Sequence, residues 1–213
     1  MERCGMSEHQ YYEVDFEAKF EGENCPVVVL EGPIPARLKG LSLIGEDLKQ
    51  VNEILGELVT DETASVSKQK GLLFGALALY GKCFTQAKGR GTQLNAESFF
   101  KKAPIEIQER HKWMMRLRHQ FVAHGGDAQE EQLKLFLVLS PNESKKKVLN
   151  LIGHGASAHN LEEHLIKQCR ETVDFAIQKV SKQINELQNK LLKLFEGEGL
   201  DWAYQNSIKR SDL

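Results

Sequence analysis

The stretch IKQCRETVDFAIQKVSKQINELQNKLLKL, residues 166–194, decides the fold class of this chain. Its apolar side chains recur at intervals of three and four residues, which places them on one face of a helix. Nine positions keep this spacing: Ile166, Cys169, Val173, Ile177, Val180, Ile184, Leu187, Leu191 and Leu194. The pattern predicts a closing helix of about thirty residues, which is long for a globular protein. Its far end could pack on another copy of the chain or simply lie along a helical bundle.

Three more helices are predicted before it. The first carries apolar residues at the same spacing, at Leu41, Ile44, Leu48, Val51, Leu55 and Leu58. The second covers about 61–88, and its stretch GLLFGALALY (71–80) is apolar nearly all round, as expected of a helix at the centre of a fold. The glycines in it lower helix propensity but permit another element to approach closely. The third runs from about Pro104 to His124, where Gly125-Gly126 supplies a stop.

A β-hairpin is predicted between the third helix and the closing helix. Leu133–Leu139 and Val148–Ile152 are rich in strand-forming residues and flank the turn-forming sequence SPNES (140–144). We therefore expect a mainly α fold, a bundle of about four helices around one core over residues 36–200, with this small hairpin inserted before the last helix. Residues 201–213 are expected to form a C-terminal tail.

Charge is distributed unevenly along the chain. Residues 1–35 hold eight acidic residues against two basic ones, a local charge of −6, and one β-like run, PVVVL (26–30). The sequence GPIP (32–35) is then expected to break regular structure. Residues 82–118 have the opposite bias, nine basic residues against three acidic ones, although the whole chain carries only −2. Such a basic region is either a solvated surface or a local anion-binding face.

Composition indicates a globular protein of the cytoplasm. The four cysteines, Cys4, Cys25, Cys83 and Cys169, are widely scattered and form no CxxC pair, so free thiols in a reducing compartment are expected. The first ten residues are polar, unlike a secretory signal. The longest apolar stretch, 71–81, is far shorter than the roughly 18 residues of a membrane-spanning helix. We therefore expect no membrane association.

Two residues with complementary chemistry, Arg118 and His124, lie late in the third predicted helix, within LRHQFVAHGG (117–126). A guanidinium has a permanent charge and five fixed donors that suit a phosphate or a phosphorane. An imidazole transfers protons near neutral pH. Together they suffice, without a metal, for cleavage of RNA by its own 2′-hydroxyl, with His124 moving the proton and Arg118 stabilising the growing negative charge.

The spacing of this pair limits how the two side chains can meet. Six residues along an ideal helix separate them by about 9 Å of rise and roughly 120° of rotation. They would converge if the last helical turn loosens, or if a second protomer brings its own pair alongside, as two-fold dimers do. The alternative is a structural pair that satisfies carbonyl groups at the helix C-terminus.

The string Arg118-His119-x-x-x-x-His124 resembles the signature of the HEPN superfamily, in which an Arg and a following polar residue precede a His by four to six residues, late in a long helix. The resemblance extends over roughly residues 40–195, through the apolar second helix, which leads into Tyr80-x-Lys82-x-Phe84, and the closing helix. It is strongest to branches linked to abortive infection and toxin–antitoxin systems. It implies a helical bundle that forms a homodimer around a composite cleft.

Many members of this superfamily are metal-independent endoribonucleases that leave 2′,3′-cyclic phosphate ends. The resemblance therefore implies that Arg118 and His124 are catalytic, with His119 in the polar position that Asn often takes. Two alternatives stay open. The chain could be an inactive HEPN module for RNA binding or dimerisation, or a regulatory or immunity partner that acts through its acidic residues 1–35. A cognate antitoxin or regulatory protein is a further possible partner.

Other residues are candidates for substrate binding. His111 lies seven residues before Arg118, on the same helix face, and could line the same cleft or be a partly buried surface histidine. Four more candidates fall at the end of the second helix: Tyr80, Lys82, Lys88 and Arg90. They could hold RNA phosphates by charge and a base by stacking, or form ordinary surface.

No metal or cofactor site is expected. His154, His159 and His164 recur at intervals of five, whereas metal ligands on one helix are spaced by three or four. The glycine-containing segments match neither a phosphate-binding loop nor a dinucleotide fingerprint.

Overall fold

The structure is a computed structural model, and it describes residues 19–61, 63–86, 90–123, 131–141, 146–157, 161–197 and 199–207. Within these ranges the protein is mainly helical. The helices are α1 (Pro33–Thr60), α2 (Val66–Phe84), α3 (Ala96–Phe100), α4 (Ile105–Leu117), a π-helical segment (Arg118–Ala123), α5 (Glu163–Glu196) and α6 (Leu200–Gln205). The strands are β1 (Lys19–Phe20), β2 (Glu23–Asn24), β3 (Glu131–Leu139) and β4 (Val148–Ser157), and they form two separate antiparallel hairpins, β1-β2 and β3-β4.

Two compact units divide the chain. One comprises residues 32–190, which include α1 to α4, the π-helical segment, the β3-β4 hairpin and most of α5. The other is described for the β1-β2 hairpin, the last turn of α5 and α6. In that second unit the rings of Phe195 and Trp202 pack with their centroids 5.9 Å apart. None of the described helices is long and apolar enough to cross a membrane.

The core of the larger unit confirms the periodic patterns. All six apolar residues predicted on α1 are buried, and α5 buries Ile166, Cys169, Val173 and Val180 against them. The pattern is wrong only at its far end, where Leu194 is exposed although Leu191 is buried. A polar network also joins the two helices: Arg170 Nε donates to Asn52 Oδ1, and Asn52 Nδ2 donates to Asp174 Oδ1, each at 2.9 Å.

Helix boundaries differ from the prediction where side chains compete for a cap. Helix α1 extends to Thr60, so Asp61 follows its end, and α2 begins after Ser65, whose hydroxyl accepts from the Lys68 N–H at 3.3 Å. The short helix α3 was not anticipated. Asn95 caps it by accepting from the Ser98 N–H at 3.0 Å, and the helix buries two phenylalanines.

The N-terminal expectations are only partly met. The prolines of GPIP do not end regular structure but lie in the first turn of α1, where no intrahelical N–H donor is required. The run PVVVL forms no strand beyond a single bridge at Val27. The β1-β2 hairpin instead turns at Glu21-Gly22, where both residues have positive φ.

The predicted β3-β4 hairpin and the free cysteines are observed. The strands pair Leu133 with Gly155 and Leu137 with Leu151, and one irregularity falls between Val138 and Leu139.

Cys25, Cys83 and Cys169 are free thiols. Burial raises the pKa of Cys83 and that of Cys169 to about 12, which disfavours the thiolate form of both.

Candidate functional site

The helix that carries the predicted site changes its winding just where the site begins. Helix α4 starts directly after Pro104, as predicted, but from Arg118 to Ala123 the backbone is π-helical. A π turn has i→i+5 hydrogen bonds, occurs mostly as a single turn within a helix, and is frequent at functional sites. The rotation expected for an ideal α-helix therefore does not apply from Arg118 onward. His124 and Gly125-Gly126 lie outside the described residues.

The π-helical segment is held against α2 at two points. Phe121 is buried, and its ring meets that of Phe74 edge-on, with centroids 4.9 Å apart. Arg118 lies over the backbone of Gly81: a Cβ built on this glycine would be 2.8 Å from Cγ and 3.0 Å from Cδ of the arginine. Any side chain at residue 81 would displace the Arg118 stem. Of the α2 glycines, Gly71 and Gly75 have open space at the same position, so only Gly81 makes this close approach.

Arg118 and His119, both predicted catalytic residues, are brought together. Nη1 of Arg118 is 3.1 Å from Nδ1 of His119. Because a guanidinium has donors only, Nδ1 must accept in this contact, which places the proton of a neutral His119 on Nε2. The imidazole is exposed and the arginine is half-buried, so a fixed guanidinium and an accessible proton donor lie side by side.

Two basic residues near this pair were not singled out from the sequence. Lys112 and Arg116 lie on α4, seven and three residues before His119, and Nη1 of Arg116 donates to Oε1 of Gln120 at 3.3 Å. With Arg118 they form a basic end of α4, which fits either of the two expectations for residues 82–118, a solvated surface or an anion-binding face. The i, i+4, i+7 spacing of residues 112, 116 and 119 could have revealed this face.

Tyr80 and His111, predicted to bind substrate, belong to the core instead. Tyr80 is 0% exposed and His111 only 7%, and the tyrosine hydroxyl is 2.8 Å from Nδ1 of the histidine. The imidazole stacks on Phe100 at 4.3 Å and meets Phe84 at 4.6 Å between centroids. Burial, with a smaller effect of nearby Lys112, lowers the pKa of His111 to about 4. Neither side chain can stack on a base or contact a phosphate here, and their role is structural.

Arg90 and Lys82 are directed to a carboxylate rather than to solvent. Asp47 of α1 accepts from Nη2 of Arg90, and Nζ of Lys82 is 3.4 Å from the same oxygen. The Arg90 side chain is 10% exposed, and its Nη1 has no hydrogen-bond partner in the described part of the chain. The prediction that Arg90 binds substrate is therefore wrong, because its side chain is buried against Asp47. Lys82 is half exposed and could still reach a phosphate, and Lys88 lies outside the described residues.

We expect Gly81→Ala to destabilise the protein, although alanine is the better helix former. Overpacking against the Arg118 stem costs about 1–3 kcal/mol, more than the gain in helix propensity of roughly 1 kcal/mol. Gly75→Ala, in the same helix with open space, should instead stabilise the protein by about 0.5–1 kcal/mol. Urea unfolding followed by circular dichroism measures both changes.

Making the same two substitutions in an Arg118→Ala background measures how much of the effect comes from the contact between residue 81 and the Arg118 side chain. There Gly81→Ala should become stabilising, like Gly75→Ala, because the arginine stem is gone. An equal cost of Gly81→Ala in both backgrounds would show that something other than Arg118 requires the glycine.

Two further features bear on what this region can bind. A groove of about 450 Å³ between α4 and α5 is lined by Arg110, Trp113 and the carboxylates of Glu106, Glu109 and Glu171, and it contains none of the predicted site residues. Its acidic lining does not suit a phosphate.

In the described ranges, no cluster of His, Cys, Asp and Glu residues could hold a metal ion.

Known proteins give no further guidance to this site. No protein-family model matches the chain, and neither the curated proteins nor the solved structures contain a significant match to it.

Proposed function

We propose that the protein is a metal-independent endoribonuclease of HEPN type that acts as a homodimer on single-stranded RNA or exposed loops. The observation that supports it most is the position of Arg118. Its stem lies on Gly81 and its guanidinium is 3.1 Å from the exposed His119, at the basic end of α4. A HEPN-like bundle is part of the proposal, since α1, α2, α4 and α5 share one core and α4 leads into the RHxxxxH string.

The reaction requires only groups that this chain supplies. The 2′-oxygen of the RNA attacks the adjacent phosphorus, the O2′–P bond forms, and the P–O5′ bond breaks to leave a 2′,3′-cyclic phosphate. His124 takes the proton of the 2′-hydroxyl, and an imidazole returns one to the departing O5′. Arg118 stabilises the extra charge on the phosphorane, and His119 orients its guanidinium. Unpaired RNA is preferred because its bases are unstacked and its 2′-hydroxyls accessible.

The biological role follows from the family resemblance alone. A toxin or phage-defence effector would act on RNA in the cytoplasm, and a cognate antitoxin or regulatory protein would control it. The acidic residues 1–35 are the segment through which such a partner could act, because they have the opposite charge to residues 82–118.

Cleavage of an end-labelled, unstructured RNA in excess EDTA tests the proposal. Arg118→Ala and His124→Ala should each lower the rate about 100-fold or more, as expected for loss of a charge-stabilising donor or a proton-transfer group. Arg110→Ala is the matched control, because this arginine of α4 lies over the Trp113 ring, 4.9 Å from its centroid. It should leave cleavage unchanged. Products should end in 2′,3′-cyclic phosphate, and a 2′-O-methyl substrate should not be cut.

The outcomes separate the alternatives. If wild type and both variants cut equally, a contaminating nuclease is responsible and the catalytic assignment fails. If the wild type binds RNA without cutting it, and Arg118→Ala weakens that binding, the protein is an inactive RNA-binding module of the same fold.

A further inference from the structure

The β3-β4 hairpin exposes apolar side chains along its length. Nine large apolar residues on its two strands are 46–71% exposed. The register places six of them on one face, which we call the leucine face: Leu133, Leu135, Leu137, Leu139, Val148 and Leu151. The opposite face mixes apolar residues with Lys134, Asn150 and His154. The two faces are therefore not equivalent, and only the leucine face is continuously apolar.

Glycines in β4 leave room on this face for the leucines of β3. Gly153 and Gly155 pair with Leu135 and Leu133. A Cβ on Gly153 would lie 3.3 Å from Cδ1 of Leu133 and 3.6 Å from Cδ2 of Leu135, so these leucines lean across the neighbouring strand. An apolar sheet face can pack against another sheet, at about 10 Å between the sheets.

An exposed apolar face of this size favours a partner surface packed against it. Six large side chains, each 54–71% exposed, form an apolar patch of roughly 500 Å² or more, at the upper limit for a protein that stays monomeric. A lone two-stranded hairpin is also only marginally stable in water. Two such faces packed together would bury roughly 1,000 Å² in total, which is the lower end of the range for specific protein–protein interfaces.

The charges at the two ends of the hairpin favour a second copy of this chain as the partner. Lys146 and Lys147 are exposed at the turn end, whereas Glu131 is the first residue of β3 at the other end. If two leucine faces pack across a two-fold axis with the hairpins antiparallel, the lysine end of each meets the glutamate end of the other. In this arrangement residues of opposite charge stand at the ends that meet, which favours a second copy of the chain as the partner.

A lipid surface fits the hairpin less well. The residues described at its turn end include Ser140, Lys146 and Lys147, which do not favour insertion into hydrocarbon. The outer edges of the two-stranded sheet also have backbone groups that hydrocarbon cannot satisfy.

We infer that the leucine face is a self-association surface, on which a second copy of the chain packs its own leucine face with the two hairpins antiparallel. Self-association is also part of the proposed function, and what we add here is the surface through which it occurs. The test measures mass rather than cleavage, so a leucine-face dimer that does not cut RNA would contradict only the proposed ribonuclease activity.

Sedimentation equilibrium of the full chain tests the inference. The wild type should be a dimer at micromolar concentration. Leu135→Glu/Leu137→Glu should raise the dimer dissociation constant about 100-fold or more, because it buries unpaired charge in the interface. The helical circular dichroism should not change, because the core helices do not include the hairpin. Ile105→Glu, a change at an equally exposed apolar residue of α4, is the control and should leave the dimer intact.

Charge reversal tests the antiparallel arrangement. Lys146→Glu/Lys147→Glu should weaken the dimer, and adding Glu131→Lys should restore it. A weakened dimer that Glu131→Lys does not restore would refute this arrangement.

Three other results would overturn the inference. One is a wild type that is monomeric at these concentrations. Another is a monomeric wild type whose leucine face is needed for flotation with phosphatidylcholine–phosphatidylserine vesicles, which would make it a lipid-binding surface. The third is a dimer that persists in Leu135→Glu/Leu137→Glu, and its loss in Leu192→Glu/Leu194→Glu would then place the interface at the far end of α5.

Discussion

Replacing Asp47 by alanine is expected to destabilise the protein by about 3–5 kcal/mol, the cost of leaving one member of a buried ion pair without its partner. The guanidinium of Arg90 is 90% buried, and one of its nitrogens already has no hydrogen-bond partner in the described part of the chain. Asp47 is its charge partner there. Gly40 holds the arginine's segment close to α1, since a Cβ at this position would be 2.5 Å from the carbonyl oxygen of Arg90. The backbone of Arg90 is therefore held beside α1, the helix that carries Asp47.

Urea unfolding of two further variants separates this effect from loss of surface charge. Lys82→Ala removes the other cation near Asp47, but that lysine is half exposed, so the loss should be below about 1 kcal/mol. Asp47→Leu/Arg90→Met removes both buried charges and should recover most of the stability lost in Asp47→Ala. If Asp47→Ala costs no more than Lys82→Ala, water reaches the guanidinium and the pair is not structural.

The helical fold could be predicted because its signal is repeated. On α1 and α5 the same spacing recurs many times, so a single irregular residue does not change the outcome. The hairpin was predictable from its strand formers, but β4 extends past Ile152 to Ser157, and Leu133–Leu135 pair with Gly153–Gly155. Element ends were less predictable, because one side chain decides each of them: the hydroxyl of Ser65 and the amide of Asn95 start α2 and α3.

The candidate site depends on contacts between residues that are distant in sequence, which no local pattern contains. The stem of Arg118 requires a glycine 37 positions earlier, and the choice of Gly81 over Gly75 is visible only when the two helices are packed together. Arg90 looked like a phosphate ligand because its acidic partner on α1 lies 43 residues away. The sequence shows where the basic residues are, but only their burial in the folded protein shows which of them a substrate can contact.

Lowering the pH is expected to remove about 3 kcal/mol of stability through His111, most of it before the carboxylates titrate. Burial lowers the pKa of this histidine to about 4 in the folded protein, from 6.5 in an unfolded chain. Between these two values the unfolded state binds more protons than the folded state, so stability falls as the pH falls from 6.5 to 4. Above pH 6.5 the full contribution is present, and about 2 kcal/mol should be lost at pH 5.

The variant Tyr80→Phe/His111→Phe removes both polar groups of the buried pair and should remove this loss. Because neither a donor nor an acceptor is left unsatisfied, its stability at pH 7 should stay near that of the wild type. His164→Gln, a change at an exposed histidine of α5, is the control and should keep the wild-type pH dependence. Urea unfolding at pH 7, 6 and 5 gives the slopes. If the double variant loses as much stability as the wild type over this range, His111 does not cause the loss. The folded protein then tolerates a protonated His111, and the acid sensitivity arises elsewhere in the chain.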